Sequence, residues 1–311
     1  MTDLQAPVRP PTPDDVTAAA SRLKPYVRHT PLLRITLEGR PLLLKLEQLQ
    51  LSGAFKLRGA MNAMLAGHVH DHIVTASGGN HGLGVATAAS LLGITATVVV
   101  PESAPEIKAR RIAATGVALV RHGQTYAEAA LAAAELAARP GYRYVHAYDD
   151  PLVVAGNGTV AAEVVADAPE VDTVVVAAGG GGLAAGSALA IGERLLVAAE
   201  PEGCRAVHDA LAAGQPVDAP VDSIASSALG ATRMGLVPFH VLQPRHRSGG
   251  LRSVLVSEVD ILRAQDRLWE ECRIATEPAA AVPLAAWLTG QVPGELPCLV
   301  ICGANAEWTP R

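Results

Sequence analysis

The sequence predicts an α/β fold built on mostly parallel sheets flanked by helices. Three observations carry this. Short β-branched runs at 73–76, 95–100 and 171–177 alternate with longer stretches of helical length, rich in Ala and Leu, and alternating strands and helices bring successive strands parallel. Glycine clusters follow two of these runs directly, SGGNHG at 77–82 and GGGG at 179–182, where sheets of this kind carry their sites. Half of the residues are hydrophobic but only 3% are aromatic, so the core is aliphatic and suits helices lying close on a sheet.

In chain order, a helix is expected over 14–23 with Thr12 or Asp14 near its cap, then a strand over 42–46 and a helix over 56–65. The strand 73–76 runs through the first glycine cluster into a helix ending near 92, and Pro101 stops the strand 95–100. Helices at 106–114 and 127–138 flank a strand at 117–121, and another strand is expected at 144–146. GNGT at 156–159 reads as a helix start running to about 166. The strand 171–177, GGGGL, a helix to about 191 and a strand at 195–199 follow. Residues 216–251 read as loop-rich, and strand 254–256, helices 259–271 and 281–288 and strand 299–302 close the chain. A domain border is expected near 148–151.

Composition excludes several functions. The net charge of −5 is spread along 311 residues, which argues against a nucleic-acid partner or a membrane surface. The uncharged runs 73–100 and 174–192 are broken by the glycine clusters, so a transmembrane span is not expected. The four cysteines, Cys204, Cys272, Cys298 and Cys302, form no C-x-x-C pair. The first fifteen residues lack the apolar segment of a signal peptide, so a reducing cytoplasm is expected. His68, His70 and His72 alternate in GHVHDH; a surface connection is the expected reading, and no metal ligand is assigned.

Three stretches point to chemistry. GGGGL (Gly179, Gly180, Gly181, Gly182, Leu183) leaves backbone N–H groups open at a helix N-terminus, which suits a phosphate; a tight packing turn is the alternative. SGGNHG (Ser77, Gly78, Gly79, Asn80, His81, Gly82) offers a second anion site, suited to a carboxylate, or a glycine-rich turn. SGAFKLRGA sets Lys56 behind Phe55 among small apolar residues. Burial lowers a lysine's pKa and makes it nucleophilic, although a surface lysine paired with an acid would also fit. A lysine, a phosphate cradle and a carboxylate cradle together describe a pyridoxal-phosphate site. The glycine run matches neither the G-x-G-x-x-G of a dinucleotide loop nor a GK[ST] P-loop.

SGAFKLRGA, SGGNHGLGVA, VVAAGGGGLAAG, the EPAAA run at Glu277 and ICGAN at 301–305 occur in the order seen in serine/threonine dehydratases and serine racemases, and HTPLL and HAYDDPLVVAGNGT add to the likeness. The chain therefore resembles the fold-type II pyridoxal-phosphate enzymes (tryptophan synthase β-like) over nearly its whole length. The resemblance implies a large cofactor domain of residues 1–66 and 150–311, a small inserted domain of residues 67–149, and a homodimer. It implies that Lys56 carries pyridoxal 5'-phosphate in Schiff-base linkage and acts as the catalytic base. Phe55 would pack beside it, Gly179 to Leu183 would hold the phosphate, Asn80 the ring oxygen, and Cys302 would face the ring nitrogen. Ser77, Gly78, Gly79, Asn80 and His81 would bind the substrate carboxylate.

The chain departs from the family pattern in places. Ala54 replaces a serine, and Gly78 stands where racemases keep a proton-donating serine, which favours one-sided elimination. Ser226 and Ser227 replace an Asp-Gly pair in the loop over the substrate, and Ala206 replaces a carboxylate of the family's divalent-metal loop. The implied reaction is α,β-elimination from L-threonine or L-serine to a 2-keto acid and ammonia, the substrate being a small amino acid. Alternatives are a lyase for another β-substituted amino acid such as hydroxyaspartate, a serine racemase, a nucleotide-dependent oxidoreductase, and a cofactor binder without activity.

Overall fold

The computed structural model describes residues 9–66, 71–104 and 106–306. Helix α1 (Pro13–Leu23) opens the chain, with the Asp15 carboxylate accepting from the Thr12 backbone and hydroxyl, both at 2.8 Å. Strands β1 (Leu32–Leu37) and β2 (Arg40–Lys45) form an antiparallel hairpin. The sequence reading missed β1. It is an edge strand that buries only Leu37, so it shows no clean apolar run. Its turn is legible in the backbone: Glu38 and Gly39 both have positive φ, at 51° and 75°, as tight hairpin turns require.

Helix α2 (Lys56–Leu65), β3 (His72–Ala76), α3 (Asn80–Leu92), β4 (Thr95–Val100), α4 (Glu106–Ala113), β5 (Ala118–Arg121), α5 (Tyr126–Ala137) and β6 (Tyr142–Tyr144) come next. The four strands from this stretch make a parallel sheet in the order β5-β4-β3-β6. Strand β6 ends earlier than the expected 144–146. The His146 ring turns the chain there, its Nδ1 accepting from the backbone N–H groups of Tyr148 (3.2 Å) and Asp149 (2.8 Å). Of the three alternating histidines, His68 and His70 lie outside the described residues, as does Gly67 at the expected small-domain boundary.

The remainder is α6 (Pro151–Asp167), β7 (Thr173–Ala177), α7 (Gly182–Ala190), β8 (Leu195–Pro201), α8 (Ala206–Ala213), α9 (Ser226–Leu229), α10 (Leu236–Arg247), β9 (Leu251–Val256), α11 (Glu258–Cys272), α12 (Pro278–Leu288) and β10 (Pro297–Val300). The second sheet runs β1-β2-β10-β7-β8-β9 and is parallel apart from the β1–β2 hairpin. Its central strands are buried throughout, as continuous apolar strands between helical layers should be. No described helix is long and apolar enough to cross a membrane.

Two expectations fail here for identifiable reasons. GNGT does not open a helix; it lies inside α6, which begins at Pro151 and is capped by Asp150 Oδ1 accepting from Leu152 N at 2.8 Å. The glycines serve contact between helices. A Cβ on Gly156 would sit 2.6 Å from the Arg58 carbonyl oxygen, and one on Gly158 2.6 Å from that of Gly186. Within 216–251, α10 was masked by Pro238 and Pro244. Pro238 is tolerated because it falls in the first turn, where backbone N–H groups have no partner inside the helix.

Candidate active site

A cavity of about 340 Å³ lies where β3 and β7 end, walled by both glycine loops. Every residue to which the sequence reading gave a role at the site lines it: Phe55, Lys56, Ser77, Gly78, Gly79, Asn80, His81, Gly179, Gly180, Gly181, Gly182, Leu183 and Cys302. They arrive from distant parts of the chain because three parallel strands, β3, β7 and β10, deliver their carboxyl ends to one place.

Lys56 is the first residue of α2, and its Nζ donates to the Ala147 carbonyl oxygen at 2.7 Å. The Phe55 ring centroid is 5.2 Å from Nζ. Burial pulls the amine from 10.5 down to about 8, against a weaker upward pull from Cys302. No carboxylate among the described residues forms a salt bridge with it. A carbonyl accepts a hydrogen bond without supplying the full charge that would hold the proton.

Asn80 opens α3. Its Nδ2 donates to Glu277 Oε1 at 2.6 Å, and its Oδ1 accepts from Asn305 Nδ2 at 3.0 Å. Nδ2 carries a second N–H, which is available to the cavity. Burial raises the Glu277 carboxyl, with the Asn80 bond opposing it. His81 is buried, and its Nε2 lies 3.0 Å from the Val145 carbonyl oxygen. That bond places the proton on Nε2 and leaves Nδ1 as a buried acceptor with no protein partner. Burial, then the charge of Lys56, pushes the imidazole down to about 3, so it stays neutral. Cys302 follows β10 and is buried, which pushes its thiol well above the ordinary range.

Gly181 has φ of +92° and caps α7, a conformation that favours glycine. The other three glycines answer to packing as well. A Cβ on Gly179 would meet Leu229 Cα at 3.1 Å, and one on Gly182 would meet Tyr148 Cβ at 2.9 Å. On Gly180 it would strike the Tyr148 ring. Open amides and close packing, the two readings of GGGG, therefore fit the same four residues.

The cavity also contains side chains to which the sequence assigned no role: Tyr126, Tyr148, Thr232 and Glu277. HAYDD and EPAAA were visible as motifs, but which member faced inward was not. Ser226 and Ser227 do line the cavity, and the Ser227 carbonyl oxygen would lie 3.2 Å from a Cβ on Gly79. The Glu200 carboxyl accepts from Val207 N at 2.9 Å and His208 N at 2.7 Å, anchoring the start of α8. Among the described residues no group of three or more His, Cys, Asp or Glu side chains is placed to hold a metal ion.

These residues fit pyridoxal phosphate. An amine whose pKa burial lowers to about 8, a glycine loop at a helix N-terminus, an unpartnered buried acceptor and a cavity of small-molecule size converge. Comparison with known proteins decides the family. Residues 23–303 match the family described as pyridoxal-phosphate dependent enzyme. The chain belongs to this family.

Its relatives include an L-threonine ammonia-lyase from Geobacter sulfurreducens, 36% identical over 94% of this chain and 75% of that protein. Among solved structures, a T.th. threonine deaminase superposes with a TM-score of 0.88 at 35% identity, covering 96% of this chain and all of that one. The maize serine racemase superposes with a TM-score of 0.89 at 29% identity, covering 96% and 95%.

Proposed function

We propose that this enzyme is a lyase that eliminates water from L-threonine or L-serine, releasing a 2-keto acid and ammonia. The observation that carries the proposal is Lys56, an amine whose pKa burial lowers to about 8, lining one cavity with both glycine loops. Pyridoxal phosphate, when bound, supplies an aldehyde for the substrate amine and an electron sink for the pair left at Cα.

The protein's own residues do the rest. The Ser77–His81 loop, opening α3, offers backbone N–H groups to the substrate carboxylate. Lys56, once free, removes the α-proton as general base. The β-hydroxyl leaves as water, and the resulting enamine hydrolyses to keto acid and ammonia. Asn80 would orient the ring oxygen through its free N–H while Glu277 and Asn305 fix its amide plane. The raised pKa of the Cys302 thiol would keep it neutral if it faced the ring nitrogen, where it could not hold a proton as a carboxylate would.

Two cavity features bear on the rivals. Gly78 supplies no side chain to protonate the opposite face, against racemisation. Lys56 is the one Lys or Arg among the described residues lining this cavity, but Lys108 and Arg111 line the pocket that adjoins it at Gly78, Gly79, Asn80, Ser227 and Glu277, so a substrate with a second carboxylate, as in hydroxyaspartate, stays a rival that the assay must separate. The reading also includes a large domain of residues 1–66 and 150–311, a small domain of residues 67–149, a homodimer, and a cytoplasmic setting in keeping with four free cysteines.

The deciding experiment measures 2-keto acid from the L- and D-isomers of threonine and serine with cofactor present. Release from L-isomers alone is expected. Interconversion of L- and D-serine would favour the racemase. No release from protein that still shows the cofactor's absorbance would move the reading to another β-substituted amino acid.

A further inference from the structure

Helix α4 packs beside α3, the helix that the Ser77–His81 loop opens. Its Ile112 is buried with Ala86, Val98 and Val100, which fixes the helix on α3 and β4. The charges of α4 are divided. Glu106, its one acid, is taken by Arg110 at 3.3 Å and by Arg121 at 2.6 Å. Lys108 and Arg111 lie three residues apart and so share a face. Among the described residues neither forms a salt bridge.

That face walls a narrow pocket that continues the active cavity, since Gly78, Gly79, Asn80, Ser227 and Glu277 line both. The pocket holds about 10 Å³, room for one water-sized group and not for a whole ligand. Leu83 and Ile112 give it apolar sides, and Gly78 puts no side chain into it. Glu277 is the one acid among its described lining residues. Its Oε1 is engaged by Asn80 Nδ2 at 2.6 Å, and burial raises its carboxyl against the opposing pull of Asn80 and Lys108. Even fully ionised, it would offset one of two cations. A net positive charge therefore stands directly beside the loop read as the site of the substrate's α-carboxylate.

We propose that this pocket is a second anion subsite, in which Lys108 and Arg111 hold the distal carboxylate of an amino acid whose α-carboxylate sits on the Ser77–His81 loop. The ligand class is small amino acids with two carboxylates. The proposal rests on reading that loop as the carboxylate site of a pyridoxal-phosphate enzyme. A slot suits the task, because the body of the ligand stays in the cavity of about 340 Å³ and only its end group enters. Lys108 is half-buried and Arg111 exposed, so the guanidinium closes the mouth over that group. Hydrogen bonds between such cations and a carboxylate are about twice as strong as neutral ones. Amino acids with one carboxylate leave the slot to water.

The test uses L-aspartate and L-asparagine, which match in shape, differ in distal charge and have no β-hydroxyl to lose. The cofactor-loaded protein is titrated with each, and the change in the cofactor's absorbance gives a dissociation constant. L-Aspartate should bind at least about tenfold more tightly, the worth of one charge-assisted bond. Lys108→Gln and Arg111→Gln should each weaken L-aspartate by about three- to tenfold while the value for L-asparagine holds. Added salt should narrow the gap between the two ligands. Equal affinity for both would overturn the proposal. So would equal losses for both in the variants, which would assign the two cations to the α-carboxylate. If neither ligand nor L-serine alters the cofactor's absorbance, the reading of the loop itself falls, and the subsite with it.

Discussion

Lys56 and Arg58 sit two residues apart on α2, Lys56 half-buried at the cavity wall and Arg58 buried in the scaffold, and the fold treats them in opposite ways. Arg58 donates to Glu47 through Nε (2.9 Å) and Nη2 (2.7 Å), and to Glu163 through Nη1 (2.7 Å). Lys45, fully buried, joins Glu163 at 2.5 Å. These carboxylates more than offset the burial of Arg58 and keep it charged. Lys56 has a carbonyl and an aromatic face instead of a carboxylate. Because α2 places residues two apart on nearly opposite faces, one turn of helix presents a locked cation to the scaffold and a labile one to the cavity. Burial alone does not make a lysine reactive; burial without a counter-charge does.

The largest expected effect separates the two directly. Lys56→Met should lower keto-acid production by at least about 10²- to 10⁴-fold, the range for a lost general base, while its urea midpoint holds or rises, because an unpaired buried amine has been removed. A fall in stability comparable to that of an Arg58 variant would break the contrast. Next comes Arg58→Met, which should cost about 3–5 kcal/mol in urea unfolding, since it strands the buried Glu47 carboxylate and leaves Glu163 with Lys45 alone. Adding Glu47→Gln should recover part of that loss.

A third prediction uses pH. Below about 8 Lys56 is protonated in both folded and unfolded chains; between about 8 and its usual 10.5 only the unfolded chain holds the proton. Its contribution to stability therefore increases as pH rises through that window. The difference in unfolding free energy between the parent and Lys56→Met should move in the parent's favour from pH 8 to 10.5, and a flat difference would mean an unperturbed amine. The smallest effect is expected at the Asp150 cap. Asp150→Ala should cost about 1 kcal/mol by loosening the start of α6, visible in a thermal melt, with the Arg58 cluster intact.

What the sequence made legible follows the same division. Lys56 and the two glycine loops are local motifs whose chemistry is carried by residue type, Cys302 was reached only through the family resemblance, and the fold delivers all of them to one cavity. The alternation of strands and helices was accessible because apolar runs survive in a doubly covered sheet, whereas the order of strands within each sheet was not read from the sequence. The Arg58 cluster was not, because Glu47, Arg58 and Glu163 are too far apart in sequence for spacing to suggest a contact. Tyr148 was missed for a similar reason. Its role depends on lying across Gly180, and no local pattern distinguishes it from its neighbours in HAYDD. Helix α10 was hidden by its prolines, and its start is held from outside by Asp149 Oδ1 accepting from Val237 N at 2.7 Å.

The glycines that let α2, α6 and α7 touch have a consequence for sequence comparison. A Cβ on Gly59 would lie 2.8 Å from the Val153 carbonyl oxygen, and one on Gly186 would lie 2.5 Å from the Gly158 amide. These positions tolerate almost no substitution, yet none of them lines the active cavity. In an alignment of relatives they should therefore appear as invariant as Lys56. A survey that ranks positions by invariance alone would nominate GNGT as a ligand motif, whereas its constancy would record how closely three helix backbones approach.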